Sequence, residues 1–279
     1  MTNQLSLFDQ RWNGRREYRL PPGAGLMNAA EYGIEVFDGD KVTRQFVVDH
    51  HYAASYPAAQ FRVGLFRKTG VEASRLVGVA IFSIPINNRA ITSHTGLEQR
   101  EGVELGRFLL LDECPHNSES WFLDKALGVL KAARPNIRTV LSYSDPVERR
   151  LLDGTVVKPG HFGTIYAARS ALYVGRSSPR TLHLTKHGTV VSDRGLSKIR
   201  HQTQGHGYAY RQMTDCGAPE RLPGESWPDW VRRALDCGAF TKIKHPGNFT
   251  FLFGLDKKAK ATLRRRYTNP LPYPRKDAA

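Results

Sequence analysis

The order of helical and strand-like segments between residues 43 and 143 constrains the fold of this chain more than any other feature. Residues 43–55 have the apolar spacing of a short helix that ends near Pro57. β-Branched and aromatic residues then indicate four strands, over 61–67, 76–85, 103–111 and 137–143, with an apolar helix over 120–132. This order predicts a mixed α/β sheet rather than a doubly wound parallel one.

The charge of the chain is distributed unevenly. Its formal net charge is +15. Residues 1–140 carry 17 Lys/Arg against 15 Asp/Glu, a net of +2, whereas residues 141–279 carry 24 against 11, a net of +13. This asymmetry is typical of a protein that binds a polyanion through one part of its surface.

The later segments predict a division into three parts. Residues 163–173 are expected to form a helix, 181–185 and 189–192 a hairpin, 248–253 a strand and 257–266 a basic helix. From Leu196 onward the chain is polar, glycine-rich and basic. We therefore expect a flexible arm over 1–25, a catalytic core over 26–200, and a basic extension over 201–279 that packs on the core and contacts DNA.

Composition excludes several classes of protein. No apolar run approaches the roughly 18 residues of a membrane-spanning helix, and the N-terminus lacks the pattern of a signal peptide. The three cysteines have no CxxC spacing, which argues against a disulfide scaffold and a four-thiolate zinc site. We expect a soluble cytoplasmic protein.

The N-terminal arm contains a short motif of its own. Gln4, Leu5, Leu7 and Phe8 resemble the pentapeptide that bacterial replication and repair proteins insert into the sliding clamp. A glutamine, a leucine and an aromatic ring on a flexible strand suit a small apolar pocket. This match predicts the sliding clamp as a partner.

A strand that leads through a short turn into a helix can bind anions with the first-turn amides of the helix. The acyltransferase fold of the N-acetyltransferases (GNAT) holds the pyrophosphate of coenzyme A in this way. Here the turn has no glycine, and it carries a carboxylate, Glu119, where the diphosphate would lie. The donor is therefore expected to bind differently, or to be another activated acyl or aminoacyl species.

Three groups of residues suit chemistry on an amine. Arg107 lies in a strand among apolar neighbours, where a charge is costly unless it is paired or lines a cleft. One alternative for it is a structural ion pair with Glu104 or Glu119. Asp145, followed by Pro146 and preceded by Tyr143, combines the groups that amino-adenine methyltransferases use to hold an exocyclic amine. The alternative for this segment is an ordinary turn.

The third group consists of histidines and a tyrosine. His50 and His51 are adjacent, so they point about 100° apart on a helix and only one is expected in the site. A neutral imidazole suits proton removal from an amine, and a metal-ligand set completed by Asp145 or His161 is the alternative. Tyr166, one turn after His161, is expected to act as an acid or to donate to an oxyanion, with a core aromatic as the alternative.

Several motifs in this order resemble the Mom family of bacteriophage DNA-modification proteins. They are HHY at 50–52 with Pro57, ELGRF at 104–108, NSESWF at 117–122, SDP at 144–146, GHFGTIYA at 160–167, YVGR at 173–176 and HPGN at 245–248. The resemblance extends from about residue 40 to the C-terminus and leaves out the N-terminal arm.

The resemblance implies a GNAT-related fold and the conversion of adenine to N6-carbamoylmethyladenine in duplex DNA, which shields phage DNA from host restriction enzymes. It implies that His50 or His51, Arg107, Ser144, Asp145 and Tyr166 line the active site. Further residues of these motifs are expected to contact substrate: Tyr52, Glu104, Asn117, Ser118, Glu119, Ser120, Tyr143, Pro146 and His161.

The resemblance also bears on cofactors and partners. Family proteins are linked to acetyl-coenzyme A and to iron, and an aminoacyl donor such as glycyl-tRNA would supply both carbons and the amide nitrogen of the product. Cationic residues are expected to bind DNA phosphates while the target adenine is flipped out of the duplex. These residues are Arg194, Lys198, Arg200, Lys257, Lys258, Lys260, Arg264, Arg265 and Arg266.

Two other classes of protein stay open from the sequence. One is a GNAT enzyme that acylates an amine outside DNA, which would work without DNA and bind acetyl-coenzyme A tightly. The other is an accessory protein without catalysis that binds DNA or the sliding clamp. The charge of the C-terminal half argues against the first, because a small substrate needs no such surface.

Overall fold

A computed structural model describes residues 10–13, 16–19, 25–51, 55–70, 73–150, 154, 156–158 and 160–275. The predicted clamp-binding residues (Gln4, Leu5, Leu7, Phe8) and Tyr52 lie outside these ranges. Within them, no helix is both long enough and apolar enough to cross a membrane.

The described residues form strands and helices in a mixed order. The strands are β1 (Gln10–Asn13), β2 (Arg16–Arg19), β3 (Tyr32–Val36), β4 (Ala59–Lys68), β5 (Ser74–Ser83), β6 (Gly102–Leu110), β7 (Thr139–Ser144), β8 (Arg149–Arg150), β9 (Val156–Lys158), β10 (Leu172–Arg176), β11 (Arg180–Leu184), β12 (Thr241–His245) and β13 (Phe249–Gly254). The α-helices are α1 (Lys41–His50), α2 (Ala90–Thr95), α3 (Ser118–Ala133), α4 (Thr164–Ala168), α5 (Asp193–His201), α6 (His206–Asp215), α7 (Trp227–Asp236) and α8 (Lys257–Arg266). Single 3-10 turns cover Ala29–Glu31 and Gln99–Glu101.

Seven strands form the main sheet, in the order β10-β13-β7-β6-β5-β4-β3. Neighbouring strands are antiparallel except for β6 and β7, which are parallel. Only three residue pairs join β6 to β7, from Gly102 opposite Thr139 to Glu104 opposite Leu141. Because β6 continues to Leu110 and β7 to Ser144, the two strands separate beyond this point.

A bulge in β6 lies where the strands separate. Ile81 pairs with Arg107 and Phe82 with Leu105, so Gly106 is the extra residue. A Cβ atom on Gly106 would collide with the hydroxyl of Ser83, so only glycine fits there without a shift of its neighbours. A bulge of this kind re-aims the side chains that follow it, here Arg107.

Helices cover both faces of the sheet. On one face, Phe122 and Leu130 of α3 are fully buried in the largest hydrophobic cluster, with Val103 and Leu105 of β6. On the other face, α1 buries Val47 against β5, while α2 and α8 form a separate cluster over β7 and β13. Burial of each large apolar side chain contributes about 1.5–3 kcal/mol, so these clusters fix the helices on the sheet.

A mixed seven-stranded sheet with one central parallel pair that separates, followed by α3 after β6 and α4 after β7, is the arrangement of the GNAT fold. The predicted α/β class with an acyltransferase-like core is therefore confirmed. The strands predicted over 61–67, 76–85, 103–111, 137–143 and 248–253 and the helices over 120–132 and 257–266 are all present, with small differences at their ends.

The chain divides into two compact units, which differ from the division expected from the sequence. Unit 1 consists of residues 1–146, 158–177 and 248–279, and unit 2 of residues 147–157 and 178–247. Residues 248–275 therefore belong with the sheet, whereas the sequence predicts an extension over 201–279. The physical reason is that β13 is an apolar strand that pairs with both β7 and β10.

Unit 2 has a core of its own. Its helices α5, α6 and α7 bury Ile199, Met213, Trp230 and Val231 in one cluster. Strands β11 and β12 form a separate antiparallel ribbon. The polar composition after Leu196 thus conceals three short helices with a few apolar residues each.

One local prediction was wrong and another is met in part. The helix predicted over 163–173 ends at Ala168, because Ser170 has a left-handed backbone (φ 54°) and the chain then extends into β10. The hairpin predicted over 181–185 and 189–192 is present in short form: Leu184 pairs with Val190, and the Thr185 and Val191 N–H groups donate to the Thr189 and His183 carbonyl oxygens. Along its full length, β11 pairs with β12.

Candidate active site where β6 and β7 separate

Asp145 follows directly after β7, on the side where β6 has moved away. The segment after β9 returns to this point: the backbone N–H of His161 donates to the Asp145 carbonyl oxygen at 2.8 Å. Gly160 makes the approach possible, because a Cβ atom there would collide with the Pro146 carbonyl oxygen. The sequence therefore brings Asp145 and His161 together through a glycine that permits close backbone contact.

Lys158 is a buried cation beside Asp145 that the sequence reasoning missed. Its Nζ donates to the Asp145 carbonyl oxygen at 2.7 Å and lies 3.4 Å from Oδ2 of the same residue. The side chain of Lys158 is 2% exposed and that of Asp145 12% exposed. A buried ammonium is costly unless it is compensated, and here the carbonyl oxygen and the carboxylate of Asp145 both compensate it.

Arg107 is held by the segment that follows α1. Its Nε donates to the Ser55 carbonyl oxygen at 2.9 Å and its Nη2 to the Ser55 hydroxyl at 2.7 Å. Its Nη1 donates to the Gly106 carbonyl oxygen at 2.6 Å. Three hydrogen bonds restrict the guanidinium, so the charge of Arg107 has a fixed position near the point where β6 and β7 separate.

Glu104 and Tyr143 face one another from the two strands. Burial raises the pKa of Glu104 to about 7, although the charge of Arg107 opposes this shift. Burial and the charge of Glu104 raise the pKa of Tyr143 to about 12. The phenol is therefore neutral at physiological pH.

Two histidines connect the groups around Arg107 and Asp145. Burial, together with the charges of Arg107 and His161, lowers the pKa of His51 to about 3. Burial and the charge of Lys158 lower the pKa of His161 to about 4, against an opposite effect of Asp145. Both residues keep surface accessible to solvent. Both imidazoles are therefore neutral at pH 7.

The structure distinguishes the two adjacent histidines. His51 is the C-cap of α1 and interacts with Arg107 and His161. His50 is the last residue of the helix, and its ring lies 4.7 Å from that of Phe46. The geometry thus places His51 with the other candidate residues.

Tyr166 and Ser144 are near this group but largely buried. Tyr166 is 6% exposed, with its ring 5.7 Å from that of His161 and 5.2 Å from that of Phe251. Ser144 is 2% exposed and lies opposite Phe249 in the sheet, and its hydroxyl has no hydrogen-bond partner among the described residues. A buried hydroxyl without a hydrogen-bond partner is unusual, and it is able to form a hydrogen bond with a polar group of a ligand.

The side chains of the turn before α3 bond to carbonyl oxygens within the turn. Asn117 has a left-handed backbone (φ 65°), Ser118 donates to the Pro115 carbonyl oxygen, and Ser120 donates to that of Asn117. Glu119 places a carboxylate in the first turn. That charge interacts favourably with the helix dipole but repels a diphosphate. Among the residues that the structure describes, no group of three or more His, Cys, Asp or Glu could hold a metal ion.

The cations predicted to bind DNA fall into two groups. Lys257, Lys258, Lys260, Arg264, Arg265 and Arg266 are exposed on α8 in unit 1, and Arg194, Lys198 and Arg200 are on α5 in unit 2. Asp256 caps α8 through its side chain, which accepts from the Ala259 N–H at 2.6 Å. Arg266 also donates to the Ser93 carbonyl oxygen at 2.7 Å, so it is anchored on unit 1.

The sheet topology places unit 1 in the class of GNAT-fold proteins. A family model described as the Mom protein family matches residues 39–275, which is most of the chain, and the protein therefore belongs to the Mom family. Membership indicates a role in phage DNA modification or an acyltransferase-like role.

Comparison with solved structures and curated proteins adds little to this assignment. One solved structure with similarity is a tandem GNAT protein from the clavulanic acid biosynthesis pathway, without acetyl-coenzyme A. It is 10% identical, covers 77% of this chain and 74% of its own, and has a TM-score of 0.35. No curated protein matches the chain.

Proposed function

We propose that this protein modifies the N6 amine of adenine in duplex DNA, by transfer from an activated acyl or aminoacyl donor, and that the product is N6-carbamoylmethyladenine. In a phage this product would protect the DNA from host restriction enzymes. The observation that carries the proposal is the position of Asp145 directly after β7, where β6 and β7 separate, with the Lys158 ammonium 3.4 Å from its carboxylate and the His161 N–H bonded to its carbonyl oxygen. A carboxylate in that position is suited to accept a hydrogen bond from an amine.

Different residues bind the base and accept its proton. Asp145 accepts from the N6 amine and Tyr143 stacks on the purine, while His51 or His161 takes the proton that leaves N6. Both imidazoles are neutral at pH 7, because burial lowers the pKa of each, so each has a ring nitrogen free of a proton. The adenine reaches them by flipping out of the duplex, which costs a few kcal/mol.

Arg107 stabilises the oxyanion that forms on the donor carbonyl. The bonds to Ser55 and Gly106 hold its guanidinium before the substrate arrives, so little reorganisation is needed in the transition state. The hydroxyl of Ser144 is a further group for a polar atom of the substrate.

An aminoacyl ester such as glycyl-tRNA fits the site better than coenzyme A, because Glu119 repels a diphosphate at the start of α3. In the transfer, N6 forms a bond to the ester carbonyl carbon, the ester C–O bond breaks, and the proton from N6 passes through a histidine to the leaving oxygen. The N6-glycyl adduct has the same composition as the carbamoylmethyl product. Attack of the glycyl amine on C6, with release of the original N6 as a carboxamide, converts one into the other without a redox step.

The cations on α8 and α5 are proposed to bind the DNA phosphates or a tRNA donor. A sliding clamp bound through residues 4–8 is a further proposed partner. We place the reaction in the host cytoplasm, where phage DNA, aminoacyl-tRNA and the clamp are found together.

Nucleoside mass spectrometry of plasmid DNA from expressing cells tests the proposal. Wild-type protein should add one C2H3NO unit to the mass of deoxyadenosine, and chromatography against both isomers should identify the carbamoylmethyl form. Asp145→Ala should abolish the product, whereas Asp49→Ala, which removes an exposed carboxylate from α1, should leave it unchanged.

Binding separates a chemical role of Asp145 from a structural one. Purified Asp145→Ala protein should bind duplex DNA with an affinity close to that of the wild type. Full modification by this variant would contradict the assignment. Acylation of small amines without DNA, and no new nucleoside in DNA, would favour a GNAT enzyme of another specificity.

A further inference from the structure

Unit 2 contains two helices joined by a tight turn. Helix α5 ends at His201 and α6 begins at His206, so four residues connect them. Gln202 (φ 50°) and Gly205 (φ 85°) both have left-handed backbones, which reverse the chain over this short distance. The third helix, α7, contributes Trp230 to the core that α5 and α6 share. Two helices with a short glycine-containing turn and a supporting helix form the arrangement of helix-turn-helix proteins.

The outer face of α6 presents side chains that are able to read bases. Ala209 and Met213 point into the core, and Tyr208, Arg211 and Gln212 are exposed, with Tyr208 63% exposed. Gln212 Nε2 donates to the Tyr208 hydroxyl at 3.1 Å, which orders the two side chains. Arginine pairs bidentately with guanine and glutamine with adenine in the major groove. This face therefore has the chemistry of a recognition helix.

A positively charged cavity of about 260 Å³ lies in the same unit. It is lined by His183, Arg200, Pro228, Arg232, Leu235 and Asp236. Asp236 is paired with Lys242 at 2.5 Å, so its charge is compensated. Arg232 has an exposed pair with Asp229, which holds it only weakly. The cavity thus offers guanidinium groups to an anion of phosphate size.

The cavity and the start of α6 are at the same end of the helix pair. Arg200 is the penultimate residue of α5, and the four-residue turn then leads directly into the first turn of α6. In helix-turn-helix proteins the first helix contacts the DNA backbone and the second lies in the major groove. The position of Arg200 matches the first role, and the exposed face of α6 matches the second.

We propose that unit 2 is a duplex-DNA reading module: α6 places Tyr208, Arg211 and Gln212 at base edges, while Arg200 and Arg232 bind a backbone phosphate. The choice of duplex DNA as the ligand rests on the proposed function. The module would select the sequence around the modified adenine.

Binding of the full-length protein to a library of randomised DNA duplexes tests this proposal. Arg211→Lys combined with Gln212→Ala keeps the charge but removes both bidentate contacts. This variant should lower the preference for the best sequences over the average by about tenfold or more and leave the average affinity unchanged. All the altered side chains are exposed, so the melting temperature should stay at the wild-type value.

Arg200→Gln should lower the average affinity rather than the sequence preference. It should weaken binding to every duplex by a similar factor and reduce the slope of log K against log salt by about one, because one phosphate contact is lost. Arg134→Gln, at the end of α3, is the matched control for an exposed arginine in unit 1 and should change neither quantity.

Several outcomes would overturn the proposal. These are an unchanged sequence preference in the α6 variant, an equal loss of affinity in the Arg200 and Arg134 variants, or binding to single-stranded DNA as tight as to duplex DNA. The assay requires no catalysis, so it separates the two proposals. A protein that makes no new nucleoside but shows these binding effects would refute the proposed reaction alone.

Discussion

Lys158→Met tests whether the buried ammonium holds Asp145 in position. Methionine has a similar length and no charge, so the substitution removes the contacts at 2.7 and 3.4 Å and keeps most of the volume. Removing one partner of a buried ion pair costs about 3–5 kcal/mol. We expect the lower end, about 3 kcal/mol, because the Asp145 carboxylate is 12% exposed and stays partly hydrated. At about 2–4 °C per kcal/mol, the melting temperature of unit 1 should fall by about 6–12 °C.

A double-mutant cycle distinguishes this coupling from a general loss of packing. Asp145→Asn alone should also destabilise the protein, since it removes the negative charge beside the ammonium. The double variant Asp145→Asn/Lys158→Met removes both charges and should be more stable than the sum of the single effects predicts, by at least about 1 kcal/mol. Urea unfolding followed by circular dichroism measures all four proteins.

A control and a functional readout complete the test. Lys131→Met, on the exposed surface of α3, should change the free energy of unfolding by less than about 0.5 kcal/mol. Lys158→Met should also lower the rate of DNA modification more than it lowers DNA affinity, because Lys158 acts through Asp145. The reasoning is refuted if Lys158→Met is as stable as Lys131→Met, or if the effects in the cycle are additive.

Two further predictions concern the backbone and the pH dependence of the same site. Gly160→Ala should destabilise the protein by about 1–3 kcal/mol and lower the rate of modification, because the added methyl group collides with the Pro146 carbonyl. Gly128→Ala, with open space around it in α3, is the control and should be neutral or stabilising. Equal melting temperatures for the two variants would contradict this. The lowered pKa values of His51 and His161 mean that the unfolded chain binds protons more readily, so stability should fall as the pH drops from about 6.5 towards 4. Glu104, with its pKa raised to about 7, works in the opposite direction and loses its contribution as the pH rises from 4.5 through 7. Urea unfolding at pH 5 and 7.5 should therefore show a smaller loss of stability in His51→Gln/His161→Gln than in wild type, and an equal loss would count against burial of these histidines.

The sequence predicted those parts of unit 1 that depend on local pattern. Strands β4 to β7 have continuous apolar or β-branched residues, and α3 has helical spacing over sixteen residues, so their periodicity is clear. Asp145 and Arg107 were found as candidates because a charge at the end or middle of an apolar strand is conspicuous. Their positions in the fold support this choice, while their catalytic roles stay predictions.

Other features depend on contacts that no local pattern encodes. Lys158 is one cation among many in the sequence, and only the return of the chain at Gly160 shows that it is buried beside Asp145. The pairing of β11 with β12 joins segments far apart in sequence, so the sequence predicts only the local hairpin in which Leu184 pairs with Val190. Helices α5 to α7 have nine or ten residues each and polar outer faces, which gives them too few apolar positions to stand out.

The connection between β10 and β13 has a consequence for synthesis on the ribosome. The Ser177 N–H donates to the Asn248 carbonyl oxygen at 2.8 Å, and the Asn248 N–H donates to the Ser177 hydroxyl at 2.9 Å, so the chain leaves the sheet and rejoins it at one point. Strand β7 ends at Ser144, yet its partner β13 is complete only at Gly254. At roughly 5–20 residues per second, the nascent chain has an unpaired β7 edge for roughly 5–20 s. During that interval the apolar edge of β7 is able to pair with other chains, and rapid folding of α5, α6 and α7 would shorten the time before β13 pairs with it.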